Sequence, residues 1–250
     1  MHQIAILSPK GGTGRTTITA NLGRLLAERS RVLLVDCDPQ NALGLLFGMT
    51  VGEPAGLSTP ELQHQALAAT LRSIKADVPF IPFGHPPLAS LAAVETQARL
   101  DATWLEKRLK ELAPQGFDHA VLDTTAARGV WQSQALGLAT VIIVVLEACA
   151  LSYATLPEVD ALVAEAAKRP GFKGVIYVLN RVDGRRALSR DVRSAMSQAA
   201  GADYLDIALV DDEHVREASA LRTTCVQHAP HSQFSAAMRM LAARVLELTR

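Results

Sequence analysis

The chain has 250 residues, and its 25 lysines and arginines balance 25 aspartates and glutamates, so its formal net charge is zero. That balance argues against a protein whose main task is gripping nucleic-acid phosphates, while leaving room for a local basic face. With 49% apolar residues there is enough for a sizeable core, and the length predicts one α/β domain over 1–250.

In chain order, the apolar run of residues 4–7 reads as a short buried strand. It leads into Pro9-Lys10-Gly11-Gly12-Thr13-Gly14-Arg15-Thr16-Thr17, and a helical pattern follows. In that helix Ile18, Leu22, Leu25 and Leu26 are expected on one face, and Thr19, Asn21, Arg24 and Glu28 on the other. Strand, glycine-rich turn and helix form the context of a phosphate-binding loop. Glycines let successive backbone N–H groups converge on an anion, and the helix start adds unpaired donors and the positive end of its dipole. Thr16 is placed to bind Mg²⁺ and Thr17 to reach an α-phosphate.

A second buried strand, 31–36, ends in Asp36-Cys37-Asp38-Pro39-Gln40. In an open parallel sheet ligands sit beyond the carboxyl ends of the strands, which puts these acids beside the loop. A helix is expected to start at Ser58 or Thr59 with Pro60 at its first position, and 78–84 is expected to form an edge strand because of its prolines. Residues 50–87 spell no chemistry and are read as a partner surface. Residues 88–112 read as helical, with Trp104, Leu105 and Leu109 in the core. A third strand, 117–124, ends in Asp123, and a fourth, 140–147, is continuously apolar. A helix is expected from Ser152 to about Lys168, then a strand over 173–180 ending in Asn180-Arg181. An arginine-rich loop enters a helix expected to be capped by Ser189, and the last helix, 234–249, carries Phe234, Met238, Leu241, Val245 and Leu248 on one stripe.

The loop resembles the deviant Walker A motif, KGGxGKT[ST], of the ParA/MinD family of dimerising ATPases. Every motif position agrees except Arg15, where the family has lysine. The acid pair in DxDPQ, the strand ending at Asp123 and the Asn180-Arg181 pair extend the resemblance. It implies a P-loop NTPase fold, a mainly parallel sheet flanked by helices, with ATP and Mg²⁺ as cofactors. It also implies an ATP-dependent homodimer in which Lys10 crosses to the partner's nucleotide. Gly11, Gly12, Thr13, Gly14, Arg15, Thr16 and Thr17 would hold the phosphates; Thr16, Asp36 and Asp123 would hold or support the metal. Asp38 would position the attacking water, and Asn180, Arg181 and the loop at Asp211 would contact the base. The chain departs from the family at Thr125 and Ala126, where prolines usually follow the aspartate, and at Val210, where a proline usually precedes the acids.

The stretch from Asn180 through Arg185, Arg186, Leu188, Ser189 and Arg190 to Asp191 is similar to the BcsQ branch, whose members accompany bacterial cellulose synthase. That implies cellulose synthase accessory proteins as partners. Arg181, Arg185, Arg186, Arg190 and Arg193 are compatible with a DNA-phosphate patch, a partner contact or a solvated face. With no interleaved aromatics, a partner or dimer surface is preferred to DNA. Two other readings stay open: a partition ATPase on nucleoid DNA, and a hydrolysis-deficient scaffold holding nucleotide.

The three cysteines are scattered without a Cys-x-x-Cys pair, which fits a reducing cytosol, and the seven histidines show no metal-ligand spacing. The longest apolar run, 139–146, is too short to cross a bilayer. The expectation is a cytoplasmic protein, recruited to the inner membrane only through partners, whose last helix docks on its own domain.

Overall fold

The computed structural model describes residues 1–59, 67–73 and 78–250. The strands are β1 (His2–Leu7), β2 (Val32–Cys37), β3 (Phe80–Ile81), β4 (His119–Thr124), β5 (Val141–Glu147), β6 (Gly174–Val182) and β7 (Tyr204–Val210). They form one seven-stranded sheet in the order β3-β2-β4-β1-β5-β6-β7. Every paired strand in it is parallel. The helices are α1 (Arg15–Leu26), α2 (Leu88–Leu100), α3 (Trp104–Lys110), α4 (Val130–Leu138), α5 (Ala150–Ala154), α6 (Leu156–Ala167), α7 (Ala187–Ala200), α8 (Glu213–Ala220), α9 (Cys225–His228) and α10 (Gln233–Leu248).

The period-2 alternation of the strands sorts the core into two layers. Ala5 and Leu7 of β1 join Leu33, Val35, Leu122, Val144 and the helices α2 to α4 and α6 on one face. Ile4 and Ile6 point the other way, to Leu34, Val121, Ile143 and the stripe Phe234, Met238, Leu241 and Val245 of α10. Each such fully buried side chain contributes about 1.5–3 kcal/mol. Because both faces are covered, β1, β2, β4 and β5 read as unbroken apolar runs. The last helix therefore docks on the domain, across α1 and β7, with Ser232 capping it by accepting from Ser235 N–H at 3.1 Å. Among the described residues, no helix is long and apolar enough to cross a membrane.

Several local expectations need correction. Thr19 and Asn21 of α1 are buried: Thr19 turns to the end of β4, where its hydroxyl donates to Asp123, and Asn21 lies under α9. Asn21 pays for its burial with two bonds, accepting from Val226 N–H at 3.0 Å and donating to Thr17 O at 2.8 Å. The helix expected over 88–112 breaks into α2 and α3 at Asp101, whose carboxylate accepts from both Thr103 N–H and Thr103 Oγ1. The one expected from Ser152 breaks between α5 and α6, where Pro157 in the first turn of α6 lacks the N–H that a continuous helix needs. Ser189 does not cap α7; the helix starts two residues earlier and Ser189 is buried in its first turn. β3 is an edge strand as expected, only two residues long between Pro79 and Pro82. The helix expected at Ser58 or Thr59 falls on 60–66, outside the described residues.

At the amino-terminal end of the sheet, buried His119 joins β4 to the residues that follow α1 and α10. Its Nδ1 lies 3.0 Å from Ser30 Oγ and its Nε2 lies 2.9 Å from Thr249 Oγ1. Burial, then the nearby His2, lower its pKa below the ordinary 6.5. Because the unfolded chain takes up this proton first, stability is expected to fall as pH drops below 6.5. Urea midpoints of wild type and His119→Gln should therefore converge at acid pH, and parallel curves would show that His119 titrates alike in the folded and unfolded chain.

Candidate functional site

The loop between β1 and α1 is shaped by glycine at the positions that need it. Gly12 and Gly14 have φ of 76° and 96°, the left-handed region that other residues avoid. Gly14 is the N-cap of α1 and offers no side chain, so the first-turn N–H groups of α1 are left to a ligand. A Cβ at Gly11 or Gly12 would meet nothing within 4 Å, so the outer face of the loop is open. At Gly14 a Cβ would lie 2.4 Å from Nδ2 of Asn180. Gly14→Ala is accordingly expected to push Asn180 aside, weaken nucleotide binding at least ~10-fold and destabilise the fold by about 1–3 kcal/mol. A fluorescent-nucleotide titration and a urea melt check both.

Beneath the loop, Arg15 is almost wholly buried. Its Nε donates to Thr124 O at 2.7 Å and its Nη1 to Lys10 O at 2.8 Å, and Nη2 lies 3.7 Å from Asp38 Oδ2. The longer guanidinium thus stitches the phosphate loop to the end of β4 and to the Asp38 turn. Asp36 and Asp123 sit side by side on adjacent strands. Asp36 is fully buried, and both its oxygens are used by main-chain donors, Asp38 N–H and Leu43 N–H, each at 3.0 Å. It fixes the turn that presents Asp38. Burial raises the pKa of both Asp36 and Asp123; the charge of Asp123 adds to the rise at Asp36, and the charge of Asp38 adds to the rise at Asp123.

Thr19 Oγ1 donates to Asp123 Oδ1 at 3.4 Å and Thr16 hydrogen-bonds the same carboxylate, while Asp123 Oδ2 is buried without a partner. The Thr13 hydroxyl is likewise buried without a partner. Unpaired buried polar atoms are uncommon and costly. Here they stand beside an open anion-binding loop, next to a carboxylate that burial disfavours in its charged form. This donor set fits a hydrated Mg²⁺ and its phosphate ligands: one hydroxyl, one carboxylate acting through water, and room for more water.

Lys10 points away from its own loop. Its Nζ lies 3.3 Å from Glu147 Oε2 and 3.5 Å from Cys149 Sγ, and Glu147 Oε1 also accepts from Arg181 at 2.8 Å. Arg181 holds a left-handed backbone, φ 53°, where the pairing of β6 with β7 slips. Neither Glu147 nor Cys149 belongs to a motif in the sequence. The available signal was an acid ending an apolar strand, the same feature that marks Asp36 and Asp123.

At the end of β6, Asn180 donates through Nδ2 to Thr13 O at 2.7 Å, so its amide braces the glycine loop. β6 runs two residues past the expected end, to Val182. A cleft of about 80 Å³ lies between Gly14, Thr17, Asn180, Val210 and Asp211. It adjoins a polar cavity of about 730 Å³ bounded by Asp183, Arg185, Asp211, Asp212 and His231, beside the phosphate loop and not over it. Asp211 itself is turned to Arg216 at 2.7 Å. The structure therefore gathers Arg15, Thr16, Asp38 and Asp123 at one point, attaches Asn180 to them through Thr13, and leaves Asp211 one cleft away.

The arrangement has known counterparts. The family model for the cellulose biosynthesis protein BcsQ matches residues 1–246. The chromosome-partitioning ATPase Soj of Thermus thermophilus is 29% identical over 262 aligned positions, covering 98% of this chain and 96% of Soj. The septum site-determining protein MinD of Pyrococcus horikoshii, solved with Mg-ADP, has a TM-score of 0.77 at 23% identity over 99% of this chain and 96% of its own. An ATP complex of a McdA variant from Cyanothece reaches a TM-score of 0.82 at 22% identity, with 99% and 96% covered. The expected P-loop NTPase architecture is thus the observed one, with a fold shared by MinD and McdA, and the chain belongs to the family of the cellulose biosynthesis protein BcsQ.

Proposed function

We propose that this chain is an ATP-dependent dimerisation switch that supports the assembly, localisation or activity of a bacterial cellulose secretion system, reached through accessory proteins of the synthase. The observation that carries the reading is the convergence of Arg15, Thr16, Asp38 and Asp123 under an open glycine loop, with Asp123 Oδ2 and Thr13 Oγ1 unpaired.

In this reading the backbone of 11–17 and Arg15 hold the phosphates of ATP. Thr16 and Asp123 hold Mg²⁺, which when bound offsets phosphate charge and orients the terminal phosphoryl group. Asp36 supports the metal's surroundings by fixing the Asp38 turn, and Asp38 orients the attacking water. Asn180, Arg181 and the Asp211 loop border the base. Lys10 reaches the nucleotide of a second copy, adding positive charge where the transferred phosphoryl develops negative charge. Dimer and monomer then present different surfaces, which is how ATP would control partner binding.

The partition relatives raise DNA as an alternative partner, but four of the five arginines already hold carboxylates of this chain. Arg185 and Arg186 pair with Asp183, Arg193 pairs with Asp206, and Arg181 pairs with Glu147. That favours a protein partner over phosphates. Deleting the gene in its host and measuring extracellular cellulose tests the reading. Loss restored by the wild-type chain supports it, and unchanged cellulose overturns the cellulose role.

A further inference from the structure

We infer that Glu147 is a latch, holding Lys10 inside its own subunit and so setting the ATP level at which two copies join. The inference rests on the dimer reading above and names the contact that opposes it.

The geometry has three parts. First, Lys10 Nζ is occupied: Glu147 Oε2 lies at 3.3 Å and Cys149 Sγ at 3.5 Å, both at the carboxyl end of β5. A side chain held there cannot at the same time reach a neighbouring copy's ligand. Second, the carboxylate has two cations. Arg181 stays at 2.8 Å when Lys10 leaves, so opening the latch strands no unpaired carboxylate. The contact is therefore easy to break, as a switch requires, because both ends of the Lys10 pair are partly exposed. Third, the backbone at Lys10 is fixed while its side chain is not. Arg15 Nη1 holds the Lys10 carbonyl at 2.8 Å, and the adjoining Gly11 has open space around its Cα. Only the lysine side chain has to swing, and its pivot already lies at the loop. Glu147 is thus a positioning residue for Lys10, and it joins the base side of the site (Arg181) to the side that faces a second copy.

Cys149 supplies a built-in reporter. Burial works against its thiolate, but the hydrogen bonds from Ser152 and the charge of Lys10 outweigh it and bring the thiol below its ordinary pKa. The other cysteines, Cys37 and Cys225, are buried, so alkylation by iodoacetamide reads Cys149.

The test measures dimer formation by light scattering across an ATP·Mg²⁺ titration for wild type, Glu147→Gln and Glu165→Gln. Glu165 pairs with Lys168 on an exposed helix surface and serves as the matched control. Glu147→Gln is expected to dimerise more readily, by roughly 5-fold for each released lysine and about 25-fold in the dimerisation constant for both, the scale of partly exposed ion pairs. Glu165→Gln is expected to follow wild type. In the wild type, ATP·Mg²⁺ should move the pH midpoint of Cys149 alkylation upward, because Lys10 has left the thiol; simple shielding by a dimer would lower the rate without moving the midpoint. If wild type dimerises while Glu147→Gln needs the same ATP or more, or while the alkylation midpoint stays put, the latch is wrong and the dimer reading stands. A wild type that stays monomeric at saturating ATP overturns both. Should Glu147→Gln fail to fold, the wild-type alkylation profile decides alone.

Discussion

Lys10→Ala is expected to keep ATP binding to a single subunit within about threefold of wild type while lowering the dimerisation constant by at least ~100-fold, since each copy loses one charge-assisted contact. The two effects separate because of where the side chain lies. Within its own subunit Lys10 touches Glu147 and Cys149 and contributes only its carbonyl to the loop, as the acceptor for Arg15. Alanine keeps that carbonyl. The main-chain donors of the loop, Arg15 and Thr16 remain in place for the phosphates, and Glu147 keeps Arg181 as its partner. What alanine removes is the ammonium that a second copy would need. Light scattering with and without ATP·Mg²⁺, beside a fluorescent-nucleotide titration, checks both halves. Equal dimerisation by wild type and variant would show that Lys10 stays in its own subunit.

The glycine loop and the acids around it are legible in the sequence because they depend on local spacing. Glycines at fixed offsets between an apolar strand and a helix determine the backbone, and acids at the ends of buried parallel strands must share one edge of the sheet. Asp36 and Asp123 indeed fall in register on neighbouring strands. What escaped the sequence depends on tertiary cover. Thr19 and Asn21 look like an exposed polar face until Asp123 of β4 takes the Thr19 hydroxyl and α9, about 200 residues further along the chain, closes over Asn21. β7 was not read as a strand because it alternates, with Asp206 turned outward at the sheet edge, and lacks the unbroken apolar run of the central strands. Glu147 was passed over for a different reason. It ends β5 as Asp123 ends β4, but its meaning comes from Lys10 and Arg181, which lie far from it in sequence. Asn180 also braces Thr13 through its amide nitrogen, an acceptor that only the folded loop brings within reach.

Arg15→Lys is expected to raise ATP turnover by about 10-fold, with ATP binding somewhat weaker, because small changes in the placement of a catalytic charge have effects of that size or larger. The planar guanidinium matches three acceptors at once: Thr124 O at 2.7 Å, Lys10 O at 2.8 Å and the more distant Asp38 carboxylate at 3.7 Å. Those bonds stabilise the resting loop, and interactions made equally in the resting and reacting states do not accelerate chemistry. A lysine ammonium is compact and cannot span the same acceptors, so its charge is freer to follow the transferred phosphoryl group. The cost is a loop less firmly joined to β4, which is why binding should weaken. Phosphate release at saturating ATP, with the KM measured alongside, separates the two effects. A lower rate in the lysine variant would show that arginine is adapted to this site. Absent turnover in both chains, with ATP still bound, would instead make the nucleotide a structural ligand whose binding, not hydrolysis, sets the state of the switch.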